Sequence, residues 1–89
     1  MKAIVTVVGK DRVGIIASVC QQLASYNVNV LDISQTVMQG YFTMMMVVEV
    51  SESKLPLAEL AQKLEEKGKE MGLSIRLQRE DIFEAMHRV

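Results

Sequence analysis

Residues Lys2 to Ile16 read KAIVTVVGKDRVGII, and this stretch changes from an extended pattern to a helical one. Its first half is apolar and β-branched at consecutive positions, which is typical of a central strand covered on both faces. The segment from Gly9 to Arg12 has the composition of a turn, and Asp11 is a candidate N-cap for the helix that follows. The stretch therefore predicts a strand, a tight turn and a helix in succession.

The predicted helix extends from about Val13 to Tyr26, because apolar residues recur there at helical spacing. Its apolar stripe consists of Ile16, Val19, Cys20 and Leu23. Asn27 is suited to the left-handed conformation that often ends a helix. We expect the chain to become extended again directly after Asn27.

Two extended segments follow, from Val28 to Met38 and from Phe42 to Val50. The first alternates between apolar and polar residues, which predicts one core face and one wetter face. Its predicted core face carries Leu31, Ile33 and Val37. The short connection Gln39-Gly40-Tyr41 predicts that the two segments pair as an antiparallel hairpin.

The remainder of the chain predicts a second helix and a fourth strand. Pro56 suits the first turn of a helix, and Gly72 is placed to end it. The alternation of apolar and polar residues after Gly72 predicts a strand. Its apolar positions are Leu73, Ile75 and Leu77. A short amphipathic helix is predicted from Asp81 onward, with Ile82, Phe83, Met86 and Val89 at near-helical spacing.

The resulting order, β-α-β-β-α-β, predicts an α+β, ferredoxin-like fold. Such a fold has a four-stranded antiparallel sheet with two helices on one face, and right-handed crossovers leave strands one and three central. We expect a single domain over residues 1–89, with a core of about 1–80 and residues 81–89 as an appended C-terminal helix. Met45 and Val47 would form an apolar patch on the other sheet face, which that helix or another subunit would cover.

Composition narrows the possible functions. The 89 residues are 49% hydrophobic and 24% charged, which favours a folded chain small enough to gain stability from a partner subunit. Ten basic and eleven acidic residues give a net charge of −1, which disfavours direct nucleic-acid binding. One cysteine and no signal or membrane segment predict a cytoplasmic protein without a membrane partner.

Few residues support catalysis or metal binding. His87 is the one histidine and stands near the end of the chain, where side chains are poorly held. Cys20 lies on the predicted apolar stripe, where a thiol behaves as a small hydrophobic group. A Cys-His nucleophile pair or a zinc site would need further residues of these types. We therefore predict no catalytic residue, no cofactor and no metal ligand.

The glycines of the first turn allow two interpretations. Gly9 and Gly14 resemble the ends of a phosphate-binding loop, but Ile15 and Ile16 stand where that loop needs lysine and a hydroxyl residue. Gly14 would instead let a ligand approach the helix N-terminus, whose N–H groups favour a carboxylate. A simple tight turn explains the same spacing, and both interpretations stay open.

Two segments resemble the ACT domain, a small regulatory module attached to many enzymes of amino-acid metabolism. They are VVGKDRVGI at residues 7–15 and YNVNVLD at residues 26–32. The resemblance extends over about residues 1–80. A chain of this length is similar to the free-standing bacterial ACT proteins of the glycine-cleavage-repressor group.

The resemblance implies a ligand pocket between the first strand-helix loop and the start of the second strand, often completed by a neighbouring subunit. Polar side chains at the positions of Asp11 and Asn29 hold the ligand in amino-acid-binding members, and the position of Gly14 gives backbone access. The candidate ligand-binding set is completed by the loop neighbours Lys10, Arg12, Val13 and Ile15. The family also implies a homodimer or a higher oligomer.

The leading hypothesis is a non-enzymatic regulatory protein that binds a small metabolite, an amino acid by preference, at a subunit interface and signals to a partner protein. The alternative is an oligomeric protein-interaction scaffold without a small-molecule ligand. An enzyme is a third, less favoured hypothesis, because no activated acid, base or nucleophile is visible. Asp11→Ala separates the first two, since it should abolish a ligand response under the first hypothesis and leave partner binding intact under the second.

Overall fold

The computed structural model describes residues 1–86 and has the element order β-α-β-β-α-β-α. The elements are β1 (Lys2–Lys10), α1 (Ile15–Ser25), β2 (Asn29–Met38), β3 (Tyr41–Glu49), α2 (Leu57–Met71), β4 (Leu73–Arg79) and α3 (Glu80–Met86). The predicted α+β, ferredoxin-like order and the additional C-terminal helix are confirmed. His87 and Val89 lie outside the described residues.

The four strands form one antiparallel sheet in the order β2-β3-β1-β4. The prediction that strands one and three are central is confirmed, and β2 and β4 are the two edges. The helix-covered face of the central strands is completely buried at Val5, Val7, Met44 and Met46. These side chains pack with apolar residues of α1 and α2 in one core.

The turns follow the predicted local chemistry. Gln39 and Gly40 both have positive φ angles, 52° and 80°, and Met38 pairs with Tyr41 across them. This is a two-residue hairpin of the kind whose twist matches that of the strands. Asn27 has a φ of 62° just beyond α1, and Gly72 ends α2 with a φ of 71°.

The predicted burial of the β2 core face is wrong. Ile33 and Val37 align with the buried Met46 and Phe42, so they do project from the helix-covered face. They are nevertheless 41% and 54% exposed. The reason is that β2 lies at the sheet edge, where a side chain lacks a neighbour on one side. Leu31 is also exposed and lies at a break in register between Val30 and Asp32.

The predicted start of the first helix is also wrong. α1 begins at Ile15, with Gly14 as its N-cap in the left-handed region, and no side chain of the described residues caps it. Asp11 is not the cap because its backbone N–H donates to the Gly40 carbonyl, 2.8 Å away, which holds it against the hairpin turn. Residues 11 to 14 therefore form a connecting loop.

The second face of the sheet is covered in part by α3, which contacts β1 and β4. Ile4 on that face is 7% exposed, and Gln78 donates a hydrogen bond to the Met86 sulfur at 3.4 Å. Val8 and Met45 stay exposed, so α3 covers only one end of the predicted apolar patch. Within residues 1–86, no helix is both long enough and apolar enough to cross a membrane.

Candidate functional site

The loop between β1 and α1 lies against the hairpin turn between β2 and β3. The contact is the hydrogen bond from the Asp11 N–H to the Gly40 carbonyl. This backbone bond leaves the Asp11 side chain exposed. The loop therefore presents a carboxylate at the end of the sheet where β1 ends and β3 begins.

The N-terminus of α1 is open at Gly14. Gly14 has a φ of 92°, and its carbonyl accepts the first helical hydrogen bond, from the Ser18 N–H at 2.9 Å. Apart from Gly14 and its two chain neighbours, no residue of the described part of the chain has an atom within 4 Å of the position that a Cβ would occupy at Gly14. Free N–H groups at a helix start favour an anionic group, and the missing side chain leaves room for one.

The other loop residues have different environments. Lys10 and Arg12 are exposed, and neither forms an ion pair with residues 1–86. Val13 is fully exposed, which is unusual for a large apolar side chain, whereas Ile15 is 2% exposed and part of the core. Ile15 thus anchors the start of α1 rather than facing the loop's outer surface.

Asn29 lies at the opposite end of the sheet from this loop. It pairs with Glu49, which in turn pairs with Lys2, whereas Lys10 pairs with Tyr41. The eight residues of β1 that separate these two levels span about 26 Å, because a strand rises roughly 3.3 Å per residue. The fold therefore brings together residues 10–15 but does not bring Asn29 to them within one chain.

The Asn29 end carries a well-bound carboxylate. Glu49 accepts hydrogen bonds from the N-terminal ammonium of Met1 and from the Ser51 hydroxyl, both at 2.7 Å. These hydrogen bonds lower the pKa of Glu49 from 4.5 to about 2. Glu49 is thus ionised and already partnered beside Asn29.

The sequence did not predict that Gln39 and Gly40 contribute to this site. The pair was recognised as a hairpin connection, but its contact with Asp11 joins residues far apart in the chain. No pattern of neighbouring residues predicts such a contact. Across residues 1–86, no three His, Cys, Asp or Glu side chains converge in a manner that could hold a metal ion.

A family model described as the ACT domain matches residues 2–78. The chain belongs to the ACT domain family. It is 54% identical over 89 residues to a UPF0237 protein of Clostridium acetobutylicum, and the match covers 100% of both chains. The solved structure of an ACT domain protein from Streptococcus pneumoniae is 47% identical, has a TM-score of 0.83, and is matched over 98% of each chain.

Two further solved structures place this ACT fold among longer proteins. A putative glycine cleavage system transcriptional repressor is 22% identical and has a TM-score of 0.74. The match covers 88% of this chain and 44% of that one. The regulatory subunit of aspartate kinase from Thermus thermophilus is 29% identical with a TM-score of 0.66, over 86% and 50%. The first likeness shows the fold alone.

Proposed function

We propose that this ACT protein is a non-enzymatic regulator that binds an amino acid between two copies of the chain and passes the bound state to a partner protein in the cytoplasm. One observation carries the proposal: the Asp11 loop and Asn29 lie at opposite ends of the sheet in one chain. An antiparallel pair of chains brings these two ends together.

The β2 edge is the surface best suited to such a pair. Every residue from 31 to 38 is exposed, and four of them are large and apolar. These four are Leu31, Ile33, Val37 and Met38. An exposed apolar edge strand presents unpaired backbone groups to a second strand and apolar side chains to its neighbours.

The pairing geometry then completes the site. Two β2 strands paired antiparallel about Ser34 bring Asn29 of one copy beside the hairpin turn of the other, at the level of Met38 and Gln39. Gln39 precedes Gly40, whose carbonyl accepts the Asp11 N–H. Asn29 of the second copy thereby arrives at the end of the sheet that carries the loop. A two-fold axis forms two such sites in each dimer.

The chemistry of the assembled site suits an amino acid. The exposed Asp11 carboxylate accepts from the ligand's ammonium group, and the open start of α1 at Gly14 favours its carboxylate. The Asn29 amide both donates and accepts. The related aspartate kinase chain is a regulatory subunit, which supports a role of this class. A ligand held by both copies stabilises the dimer by mass action. A partner protein that binds the dimer and the free chain with different affinities then responds to the ligand.

The first experiment is thermal unfolding of the protein against each common amino acid. A ligand at about one hundred times its dissociation constant adds roughly 2.7 kcal/mol of stability, and a domain of this size responds with a shift of several degrees. One selective ligand would support the proposal. A flat response across the panel would contradict it.

Mixing two variants tests whether the site is shared. Asp11→Ala and Asn29→Ala should each abolish binding alone, but a heterodimer of the two keeps one complete site, so their mixture should bind at one site per heterodimer. The control is a chain with both substitutions mixed with the natural chain, whose heterodimer has no complete site. Each heterodimer is isolated with two different affinity tags before calorimetric titration, because natural homodimers in the unseparated control mixture would bind as much ligand as the first mixture. Failure of the first mixture to recover binding would contradict a shared site.

The second candidate function is an oligomeric interaction scaffold without a small-molecule ligand. The fully exposed Val13 favours it, because an apolar loop side chain of this kind suits a protein contact. A scaffold predicts that Asp11→Ala leaves both self-association and partner binding unchanged. The regulator predicts instead that Asp11→Ala removes any effect of an amino acid on assembly.

A further inference from the structure

The second sheet edge forms a groove with α2 at the side of the molecule opposite to β2. Its volume is about 530 Å³. Ala61, Glu65 and Lys69 of α2 form one wall, and Ile75 and Leu77 lie on β4 beneath them. We propose that this groove binds an extended segment of another protein as a fifth strand of the sheet, with an acidic side chain opposite Arg76.

The backbone of β4 is available for such an addition. β4 pairs with β1 on one side, and its outer side has no strand partner among residues 1–86. In an antiparallel edge strand, alternate residues direct their N–H and C=O groups outward. An extended peptide can satisfy these groups and so lengthen the sheet, a recognised mode of peptide binding.

The wall formed by α2 makes this edge a groove. At Gly68, α2 approaches β4 so closely that a Cβ would stand 2.7 Å from the Leu73 carbonyl oxygen. Ala61, Glu65 and Lys69 recur every four residues and so lie along one side of α2. A strand added to β4 would direct every second side chain toward this wall, where Ala61 leaves room and Leu77 offers apolar contact.

The charges along β4 indicate which side chain the added segment should carry. Arg76 is exposed at the middle of β4, on the sheet face away from the helices, and forms no ion pair within the described part of the chain. Lys69 lies 3.9 Å from Glu65, and Arg79 is bound by Asp81 at 2.7 Å. Arg76 is therefore the unpaired charge of this edge, and a carboxylate directly across from it is favourable.

Arg76 also makes a second copy of the chain an unfavourable occupant of the groove. Antiparallel pairing of the whole of β4 with itself is centred on Arg76 and places two guanidinium groups opposite each other. Like charges directly across a strand pair are destabilising. β2 has no charged residue at its centre, which makes it the better edge for self-association. The groove proposal uses the opposite edge and stands without the proposed amino-acid site.

Two blocked peptides test the proposal, Ser-Thr-Val-Glu-Val-Thr-Ser and its match with Lys in place of Glu. Paired with β4, their central residue lies opposite Arg76 and their valines face the α2 wall. We expect the Glu peptide to shift backbone NMR resonances of β4 and the facing side of α2, and to slow amide exchange in β4. The Lys peptide should bind roughly two- to fivefold more weakly, the range that cross-strand charge pairs produce.

Reversal of the charge makes the test specific. Arg76→Glu should invert the preference, so that the Lys peptide becomes the tighter ligand. Lys54→Glu, at an exposed cation outside both the groove and the proposed amino-acid site, should keep the original preference and is the matched control. A spectrum that is unchanged away from the substituted residue shows that each variant is folded. Shifts centred on β2, no β4 shifts at millimolar peptide, or a preference that ignores Arg76 would each overturn the proposal.

Discussion

The two edges of the sheet differ in what covers them. Along β2, the residues from 31 to 38 are all exposed, whereas Leu73 and Ile75 of β4 are buried. The cause lies in the helices, because α2 contacts β4 more extensively than α1 contacts β2. Gly68 permits this closeness, since it removes the side chain that would stand between α2 and β4.

Because the two edges are covered differently, their apolar side chains contribute to stability in different ways. Those on β4 stabilise the folded chain, because the fold itself removes them from water. Those on β2 stay in water within one chain and gain stabilisation only from association. We therefore expect substitutions near β4 to alter unfolding and substitutions on β2 to alter assembly.

The largest expected effect compares Leu64→Ala with Val37→Ala. Leu64 is fully buried on α2, so its truncation should lower the free energy of unfolding by about 2–5 kcal/mol. Val37 is 54% exposed, and its truncation should cost less than about 1 kcal/mol in the monomer. Denaturant unfolding at a protein concentration that keeps the chain monomeric measures both. Equal losses would remove the proposed distinction.

Gly68→Ala tests the close approach of α2 to β4. Alanine favours a helix over glycine, but its Cβ would stand 2.7 Å from the Leu73 carbonyl oxygen, so α2 must shift. The net loss of stability should be about 1–3 kcal/mol, as for other overpacked sites. Thermal unfolding checks this, with the exposed Glu66→Ala on the same helix as the control. A stabilised Gly68→Ala would show that the two elements are free to separate.

Ile33→Lys tests self-association at the β2 edge. A lysine on an apolar edge strand opposes pairing with another strand. We expect the dimer dissociation constant to rise at least tenfold, which corresponds to about 1.4 kcal/mol. Sedimentation equilibrium measures it, and Ser74→Lys on β4 is the matched control that should leave dimerisation unchanged. If Ser74→Lys were the disruptive variant, the roles assigned to the edges would be exchanged.

The smallest effects are expected on acidification, at one carboxylate beside each edge. The pKa of Glu49, next to β2, is lowered to about 2 by its hydrogen bonds, and hydrogen bonds from Arg79 lower that of Asp81, after β4. A lowered folded-state pKa means that the stabilisation is present above the unfolded value, 4.5 for Glu49, and is lost as pH falls toward about 2.

NMR titration of the side-chain carboxyl carbons measures both midpoints. Glu49→Gln should remove the step at Glu49 and leave that of Asp81 in place, since the two groups have different partners. Loss of the Asp81 interaction should loosen α3, because Asp81 also accepts from the Ile82 N–H in the first turn of that helix. Midpoints at the unfolded values would show that these hydrogen bonds do not persist in solution.

Much of the fold follows from local patterns. β1 was predicted from consecutive β-branched residues, and the left-handed turns at Asn27 and Gly72 from residue types that tolerate positive φ. These predictions succeed because propensity and periodicity are properties of neighbouring residues. The start of α1 was predicted wrongly because the backbone of Asp11 is bound by Gly40, a residue distant in the chain.

The candidate site, like the fold, could be predicted from the sequence only in part. The resemblance to ACT domains named residues 10–15 and Asn29, and the family is confirmed over residues 2–78. Whether these residues meet depends on strand direction and register, which place Asn29 level with Lys2 rather than with Lys10. Their roles in binding remain predictions that the mixing experiment tests.

The sequence by itself determined the order of elements, the positions of the turns and the family, because each rests on spacing along the chain. Only the tertiary structure decided that Ile33 and Val37 face water, that the Asp11 loop meets the Gly40 turn, and that Arg76 on the second edge has no ion pair among residues 1–86. The physical reason is that burial and pairing depend on which elements pack side by side, and helices leave the two edges of a sheet unequally covered.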